Sequence, residues 1–480
     1  MKIDLLTIDS NKSIKDSLKK INISGLSTLF VVDKNKSLLG VLTDGIIRRG
    51  LIKGIDLQTQ VSKLMNTNFI SLNVSVNNSK ILETLNKTIK IIPLIDDNNI
   101  IVDYASINRI RKISVSSPNL DGTELANVTN CINTNWISSQ GKYVKLFEDQ
   151  FSKYHRNTKA LAVSNGTVAL HLALVSLGIG KGDEVIVPNL TFAASINSII
   201  HSGATPSLVD VDFETWNINH EEIEKAINEK TKAIMLVHLY GNPCNMNKII
   251  EIAKKHKLFI VEDCAESLGS TYNGYPLGIH SDAATFSFFG NKTITTGEGG
   301  MIVFKDPKVY EKASILRDHG MSKTKRYWHD VVGYNYRLTN IQAAIGVAQF
   351  DKLNYFIDRK KSIAKIYYGF LKKYEFFEIQ NVANNSFSSN WLCSFRVLKN
   401  DRFVKKDLME YLAKKGIETR PLFNPLNLMS PYKSYAKNRD CKNSIEISKT
   451  GMSLPSSSSL SDLEAKYICS TIEEFINILH

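Results

Sequence analysis

At 480 residues the chain is too long for one ordinary hydrophobic core, so two or three domains are expected. A hydrophobic content of 43% and a charged content of 22% describe a soluble globular protein. No apolar run approaches the ~20 residues needed to cross a bilayer, which excludes a membrane partner. The net charge is +13, from 60 basic and 47 acidic side chains. The lysines are dispersed singly or in pairs such as Lys254-Lys255 and Lys372-Lys373, with no basic stripe interleaved with aromatics. A nucleic-acid partner is therefore not expected, and the charge reads as a solvated surface.

The N-terminal stretch Met1 to Leu6 lacks the apolar core and cleavage site of a signal peptide. Cysteines 131, 244, 264, 393, 441 and 469 are scattered, without a Cys-x-x-Cys pair. That spacing argues against a zinc site and a disulfide framework and places the protein in a reducing cytoplasm. The histidines likewise show no metal-ligand spacing, so no metal is expected.

Along the chain, Thr28 to Asp33 and Leu38 to Asp44 read as two short strands, followed by a basic helix from Gly45 to Lys53. The pattern recurs at Lys90 to Asp96 and Ile100 to Tyr104. Two such units resemble a pair of CBS modules, the carrying motif being Gly40-Val41-Leu42-Thr43-Asp44. The resemblance implies that Thr43 and Asp44 hold the ribose and phosphate of an adenine nucleotide. The second repeat offers Asp103-Tyr104 without the glycine or threonine. A nucleotide sensor with one intact half-site and a dimerising or stabilising module both remain open.

Residues 114–118 read as a linker closed by Pro118. Strands are then predicted at Ala160–Val163, Glu184–Val187, Ser207–Val211, Ala233–Val237, Phe259–Glu262, Ala284–Phe288 and Met301–Phe304. Helices at Thr167–Leu177, Ile196–His201 and Lys248–Lys255 fall between the first five. Such alternation predicts an α/β fold with a mostly parallel sheet covered on both faces. From about Asn354 the pattern changes to long helices, a strand at Phe395–Leu398 and a helix at Lys405–Lys415. The expected domains are a CBS pair over 1–113, a large domain over 119–353 and a small α+β domain over 354–480.

Ligands of open α/β sheets bind beyond the carboxyl ends of the strands, and three of those ends carry chemistry. Val163-Ser164-Asn165-Gly166-Thr167 runs from strand into helix, a seat for a phosphate. Glu262-Asp263-Cys264-Ala265-Glu266 ends an apolar strand with three carboxylates in five residues. A buried carboxylate needs a partner, and a cationic heterocycle nitrogen is a suitable one for Asp263. Ser287 supplies a further hydroxyl, and Lys292 sits five positions on among small and apolar residues. A desolvated lysine sheds its proton more readily and so can attack a carbonyl. The glycines of Thr296-Gly297-Glu298-Gly299-Gly300 are expected to let the backbone approach a ligand. Gly290-Asn291-Lys292-Thr293 fails as a Walker loop because Asn291 and Phe286 stand where that motif needs glycine. The loop Tyr327 to Asn340 has the Tyr, Trp and Arg content of an interface hot spot.

Together these residues resemble the DegT/DnrJ/StrS family of sugar aminotransferases dependent on pyridoxal phosphate. Asn135-Trp136-Ile137-Ser138-Ser139-Gln140-Gly141 and Leu454-Pro455-Ser456-Ser457 extend the likeness from about residue 117 to the C-terminus. The resemblance implies a fold-type I enzyme, with Lys292 as the Schiff-base lysine and Asp263 as the partner of the pyridine nitrogen. It also implies that Gly166, Thr167 and Ser287 hold the cofactor phosphate, that Phe192 stacks on the ring and that Glu266 lies near the ring hydroxyl. Asn335 would reach the phosphate of a neighbouring subunit's cofactor, which implies a homodimer or larger assembly with shared sites. His329, Arg420 and Asn424 are candidate substrate contacts.

The implied reaction is a ping-pong transamination from glutamate to a nucleotide-linked 4-keto-6-deoxy sugar, serving surface polysaccharide or glycan synthesis. GDP-4-keto-6-deoxy-mannose is the leading acceptor, giving GDP-perosamine, with a UDP-linked 4-keto amino sugar as the alternative. A related branch that removes a sugar hydroxyl lacks the lysine, so Lys292 argues against it. The competing class is a non-catalytic, nucleotide-responsive scaffold.

Overall fold

A computed structural model describes residues 3–76, 78–86, 88–106, 109, 112–120, 122–156, 158–398, 404–436 and 439–479. The chain forms two compact units. One comprises residues 1–113 with 408–418 and 471–475, and the other comprises the remainder.

The smaller unit contains two three-stranded sheets of the same topology. In the first, Thr7–Asp9 runs parallel to Thr28–Val32, which pairs antiparallel with Leu38–Thr43. In the second, Leu72–Asn73, Ile91–Ile95 and Ile101–Ser106 repeat that arrangement. The apolar side chains alternate along Thr28–Val32 as strand geometry requires. Leu29 and Val31 pack with Ile14, Leu42, Ile47 and Val61, whereas Phe30 and Val32 pack with Leu6, Leu38, Ile101 and Tyr104. Thr43 caps the helix Asp44–Ile52, its hydroxyl accepting from Ile46 N at 3.2 Å, and Asp44 pairs with Arg48. In the second half Asp103 is taken up by Arg109, at 2.9 Å.

The larger unit is built on a seven-stranded sheet. Its order is Lys159–Val163, Gly300–Phe304, Ala283–Ser287, Phe259–Asp263, Thr231–Val237, Glu184–Pro188, Thr205–Val209. All neighbours are parallel except Gly300–Phe304, which is antiparallel to both strands beside it. All seven strands read from the sequence are present, and their unbroken apolar character follows from burial on both faces. Residue parity divides them cleanly. Ala160, Ala162, Ile186, Ile234, Leu236, Ile260, Met301 and Val303 face one core, which receives the helices Lys142–Tyr154, Met246–His256 and Asn340–Asp351. Leu161, Val163, Val185, Val187, Met235, Val261, Ile302 and Phe304 face the other, covered by Gly166–Ser176, Ala193–His201 and Pro307–Arg317.

A four-stranded antiparallel sheet follows, in the order Phe377–Ile379, Cys393–Val397, Gly451–Leu454, Arg420–Pro421. It accompanies the long helix Leu353–Leu371. Two of the sequence motifs serve structure here. The Asn340 side chain accepts from Tyr143 N and donates to Trp136 O, fixing the Asn135–Gly141 segment. The Ser456 hydroxyl accepts from Cys393 N, and the Ser457 hydroxyl accepts from Ser117 N. Among the described residues no helix is long and apolar enough to cross a membrane.

One face of the large sheet is pinned by aromatic packing. Phe151 is fully buried, with ring centroids 5.0 Å from Phe286, 5.2 Å from Phe350 and 5.7 Å from Phe288. Phe151→Ala leaves a cavity and is expected to cost about 3–5 kcal/mol. Urea unfolding followed by circular dichroism measures it, and a loss below about 1 kcal/mol would show that the cluster closes over the gap.

Candidate active site

The strands Lys159–Val163, Gly300–Phe304 and Ala283–Ser287 place Val163, Gly300 and Ser287 side by side. Val163 leads through Ser164 to Asn165, which caps the helix Gly166–Ser176 by accepting from Val168 N at 3.0 Å. Gly166, in the first turn of this helix, thus lies against Ser287, with Thr167 the next residue. A Cβ on Gly166 would stand 2.8 Å from the Ser287 Cβ, so only glycine permits this approach. Backbone N–H groups of a first helical turn beside two hydroxyls form a seat for a phosphate.

Asp263 ends the strand Phe259–Asp263 and is buried. Ser195, from the helix Ala193–His201, donates to Oδ2 at 2.8 Å, and Ala265 N donates to Oδ1 at 3.1 Å. Burial raises this carboxyl above its ordinary range, while the Ser195 bond opposes that shift. The neighbouring strand positions are locked by His238. Cys244 N donates to His238 Nδ1 at 3.0 Å, so the ring proton resides on Nε2 and is donated to Glu262 Oε2 at 2.9 Å. Gly278 N donates to the same oxygen at 3.0 Å. Burial disfavours the Glu262 anion, but these bonds outweigh it and hold its pKa below the ordinary value. His238, Glu262 and Cys264 bring possible ligand atoms within 4.8 Å of one another. Both imidazole nitrogens are already committed to internal hydrogen bonds, and the group acts as a brace beneath Asp263.

Lys292 lies on the turn after Phe288, its backbone N–H donating to Phe289 O. The side chain is 14% exposed. Its Nζ stands 3.9 Å from Glu266 Oε1 and 3.9 Å from the ring centroid of Trp391. Burial draws the amine below its ordinary pKa, Glu266 and Asp263 pull it back, and Arg420 reinforces the fall. Burial also pushes the Glu266 carboxyl up to about 7, against the attraction of Lys292 and a 2.8 Å bond from Tyr240 N to Oε2. Acid and amine are therefore drawn toward one another in proton affinity.

The other candidates have different settings. Phe192 is 61% exposed, 5.8 Å from Phe423, which itself stacks on Tyr240 at 5.5 Å. Arg420 is half-buried and Asn424 is exposed. Asn335 is exposed and bridges to Asp318, flanked by the stacked pair Tyr334 and Tyr336. His329 lies on an exposed loop, its Nδ1 donating to His319 O at 2.9 Å. The glycine run after Lys292 departs from expectation. Gly297 has φ +83°, a left-handed turn, whereas a Cβ on Gly299 would strike Thr296 and one on Gly300 would strike Asn165 O at 2.6 Å. Those two glycines make room for other atoms of the chain.

Ser195, His238, Tyr240 and Trp391 were not found by reading the sequence. Tyr240 has φ +55°, a strained backbone that no local motif announces.

Residues 118–473 match the model of the DegT/DnrJ/EryC1/StrS aminotransferase family, and residues 1–53 match that of the CBS domain. The chain is 46% identical to the GDP-perosamine synthase of Escherichia coli O157:H7, over 76% of this chain and 99% of that protein. It is 42% identical to the GDP-perosamine synthase of Vibrio cholerae, over 76% and 100%. Among solved structures, Spr1654 of Streptococcus pneumoniae in its PLP-form superposes with TM-score 0.72 at 30% identity, covering 77% of this chain and 100% of that one. Helicobacter pylori PseC, an aminotransferase of pseudoaminic acid biosynthesis, gives 0.72 at 28%, covering 76% and 100%.

The raised Glu266 pKa makes a prediction about stability. The folded chain binds this proton more tightly than the unfolded chain, whose carboxyl titrates near 4.5. The contribution is fully present below about pH 4.5 and is lost as pH rises through about 7. Glu266→Gln keeps the neutral form at every pH. It should match wild type at low pH and exceed it by up to about 3 kcal/mol above neutrality. Denaturation of the cofactor-free chain across this range tests the slope, and parallel curves would contradict the assignment.

Proposed function

We propose that this chain, which belongs to the DegT/DnrJ/EryC1/StrS aminotransferase family, transfers an amino group from glutamate to a nucleotide-linked 4-keto-6-deoxy sugar. Its cofactor is pyridoxal phosphate. The acceptor is GDP-4-keto-6-deoxy-mannose and the product GDP-perosamine, a reading supported by the near end-to-end match to relatives named for that product. The UDP-linked keto sugar is the alternative acceptor. The observation that carries the reading is the buried Lys292 amine held 3.9 Å from Glu266, close to the buried Asp263 carboxylate.

The residues fit the cofactor. The phosphate seat is glycine-lined because Gly166 abuts Ser287, and a braced, buried carboxylate stands at a strand end with its amine nearby. Bound there, pyridoxal phosphate supplies a carbonyl that bonds to amines and a protonated ring that withdraws electrons. Gly166, Thr167 and Ser287 would hold the phosphate. Asp263, kept in place by Ser195 and Ala265, would partner the ring nitrogen and favour its protonated form. Phe192 would stack on the ring, and Glu266 would stand near its hydroxyl. Lys292 Nζ would attach the cofactor and hold or move a proton as a base. His329, Arg420 and Asn424 contact the sugar nucleotide, and Asn335 reaches the phosphate of a partner subunit's cofactor in a homodimer. The nucleotide-linked acceptor and the scattered, buried cysteines support residence in the cytoplasm.

Purified protein loaded with pyridoxal phosphate and reduced with borohydride should carry its label on the Lys292 peptide. Lys292→Ala should lose more than about a thousandfold in amine transfer from glutamate. Label elsewhere, or transfer unchanged in the variant, overturns the assignment. A panel of GDP- and UDP-linked keto sugars decides the acceptor by the ratio of kcat/KM.

The N-terminal unit is proposed to bind an adenine nucleotide at Thr43 and Asp44, where the helix Asp44–Ile52 begins. Calorimetry with AMP, ADP and ATP should show heat that Thr43→Val with Asp44→Ala removes. Flat traces with all three nucleotides leave the unit a stabilising module.

A further inference from the structure

Trp391 has a part in this site that neither spacing nor residue type announces. It is 4% exposed, and its indole face lies under the Lys292 ammonium at 3.9 Å. The ring is fixed along its edge, because Nε1 donates to Asn291 O at 2.8 Å. That carbonyl belongs to the residue preceding Lys292 and also accepts from the Ser116 hydroxyl at 2.9 Å. The ring is fixed at its backbone too. Lys360, buried to 3% exposure, donates from Nζ to Trp391 O at 3.0 Å and to Ser456 O at 2.8 Å. Tyr240 lies nearly parallel to the tryptophan, at 6.2 Å and 7°, and its backbone N–H holds Glu266. One rigid aromatic unit therefore positions both groups that contact the Lys292 amine.

We propose that Trp391 is a positioning residue for the transamination, its indole face being the seat on which the Lys292 amine rests while it carries its proton. The inference rests on Lys292 being the reactive amine. A cation over an indole face is attracted by the ring's quadrupole, most strongly where water is excluded. A neutral amine has no such attraction, so the seat discriminates between protonation states. A protonated Lys292 is thus kept beside Glu266 instead of swinging free. On deprotonation the hold relaxes and the nitrogen is released for attack. The charged and titratable groups facing this nitrogen are Glu266 and Asp263 from the strand end and Arg420 from the small sheet. Glu266 and Asp263 favour the cation and Arg420 disfavours it, so the tryptophan adds to the carboxylates.

The test needs neither cofactor nor sugar and so stands apart from the acceptor and the phosphate seat. The full chain is stripped of cofactor, and the rate of acylation at Lys292 is followed against pH by mass spectrometry of its peptide. Replacing the chain's four tryptophans biosynthetically by analogues of rising fluorine content withdraws charge from the indole face with little change in shape. The acylation midpoint should fall stepwise, by about one pH unit at high fluorination. Trp391→Phe retains a weaker face and should fall by less. In a Trp391→Phe background, fluorination of the three remaining tryptophans should leave the midpoint fixed. A midpoint that does not move across the fluorinated series, in protein with an unchanged circular dichroism spectrum, overturns the proposal. A midpoint that moves equally in the Trp391→Phe background overturns it as well, since the effect then comes from another tryptophan.

Discussion

A buried ammonium and two buried carboxylates cannot share an apolar interior unless each finds a partner, and this constraint organises the larger unit. Lys292 is balanced between Glu266 and the Trp391 ring, and Asp263 is held by Ser195 and Ala265. Leaving any of these charges uncompensated is expensive in a low-dielectric interior. The surrounding elements are accordingly braced. The His238–Glu262 pair ties the ends of two adjacent strands through a proton whose position is fixed by Cys244 N. Lys360 brings the backbone of Trp391 and Ser456 together from a helix that begins at Leu353.

The sequence was most legible where a local pattern has one physical solution. Runs such as Ala160–Val163 and Ala233–Val237 are apolar at every position because both faces of the sheet are buried, and the cores divide them by residue parity. Asp263, Gly166 and Ser287 stood out as candidates because each sits at or just beyond the end of such a run, and Lys292 because it follows one by five residues. What remained hidden depends on contacts between distant positions. Ser195 reaches Asp263 across 68 residues, and Trp391 reaches Asn291 across 100. Nothing in the Ala-Ala-Ser-Ile-Asn or Ser-Asn-Trp-Leu segments distinguishes these side chains from ordinary core or capping residues. Gly299 and Gly300 show the same dependence on other parts of the chain. Their closest neighbours, Thr296 and Asn165, belong to the chain's own turn and an adjacent strand end.

The N-terminal unit shows how two copies of one backbone plan can differ in chemistry. Both halves pair a parallel edge strand with an antiparallel hairpin. The polar groups of the two hairpins are used differently. Thr43 and Asp44 begin a helix, where free N–H groups and the helix dipole attract anions. Asp103 instead neutralises a buried Arg109 whose guanidinium also lies 4.2 Å over Tyr104. Asp103 lies within the strand Ile101–Ser106, opposite Leu94, and losing it would strip the buried arginine of this carboxylate, so the core as well as the motif holds the asymmetry.

The same logic of shared protons bears on Lys292 and Glu266. In water a carboxylic acid and an ammonium differ by about six pK units, so a proton placed between them resides on the amine. Burial raises the acid to about 7 and lowers the amine, narrowing that gap. A narrower gap reduces the cost of returning Lys292 to its neutral form. Burial alone would overshoot, because an amine that never binds a proton cannot deliver one. The carboxylates of Glu266 and Asp263 counter that desolvation from one direction and the indole face from another. The ring does so without adding a titratable group, so it tunes the amine while leaving the proton count of the site unchanged.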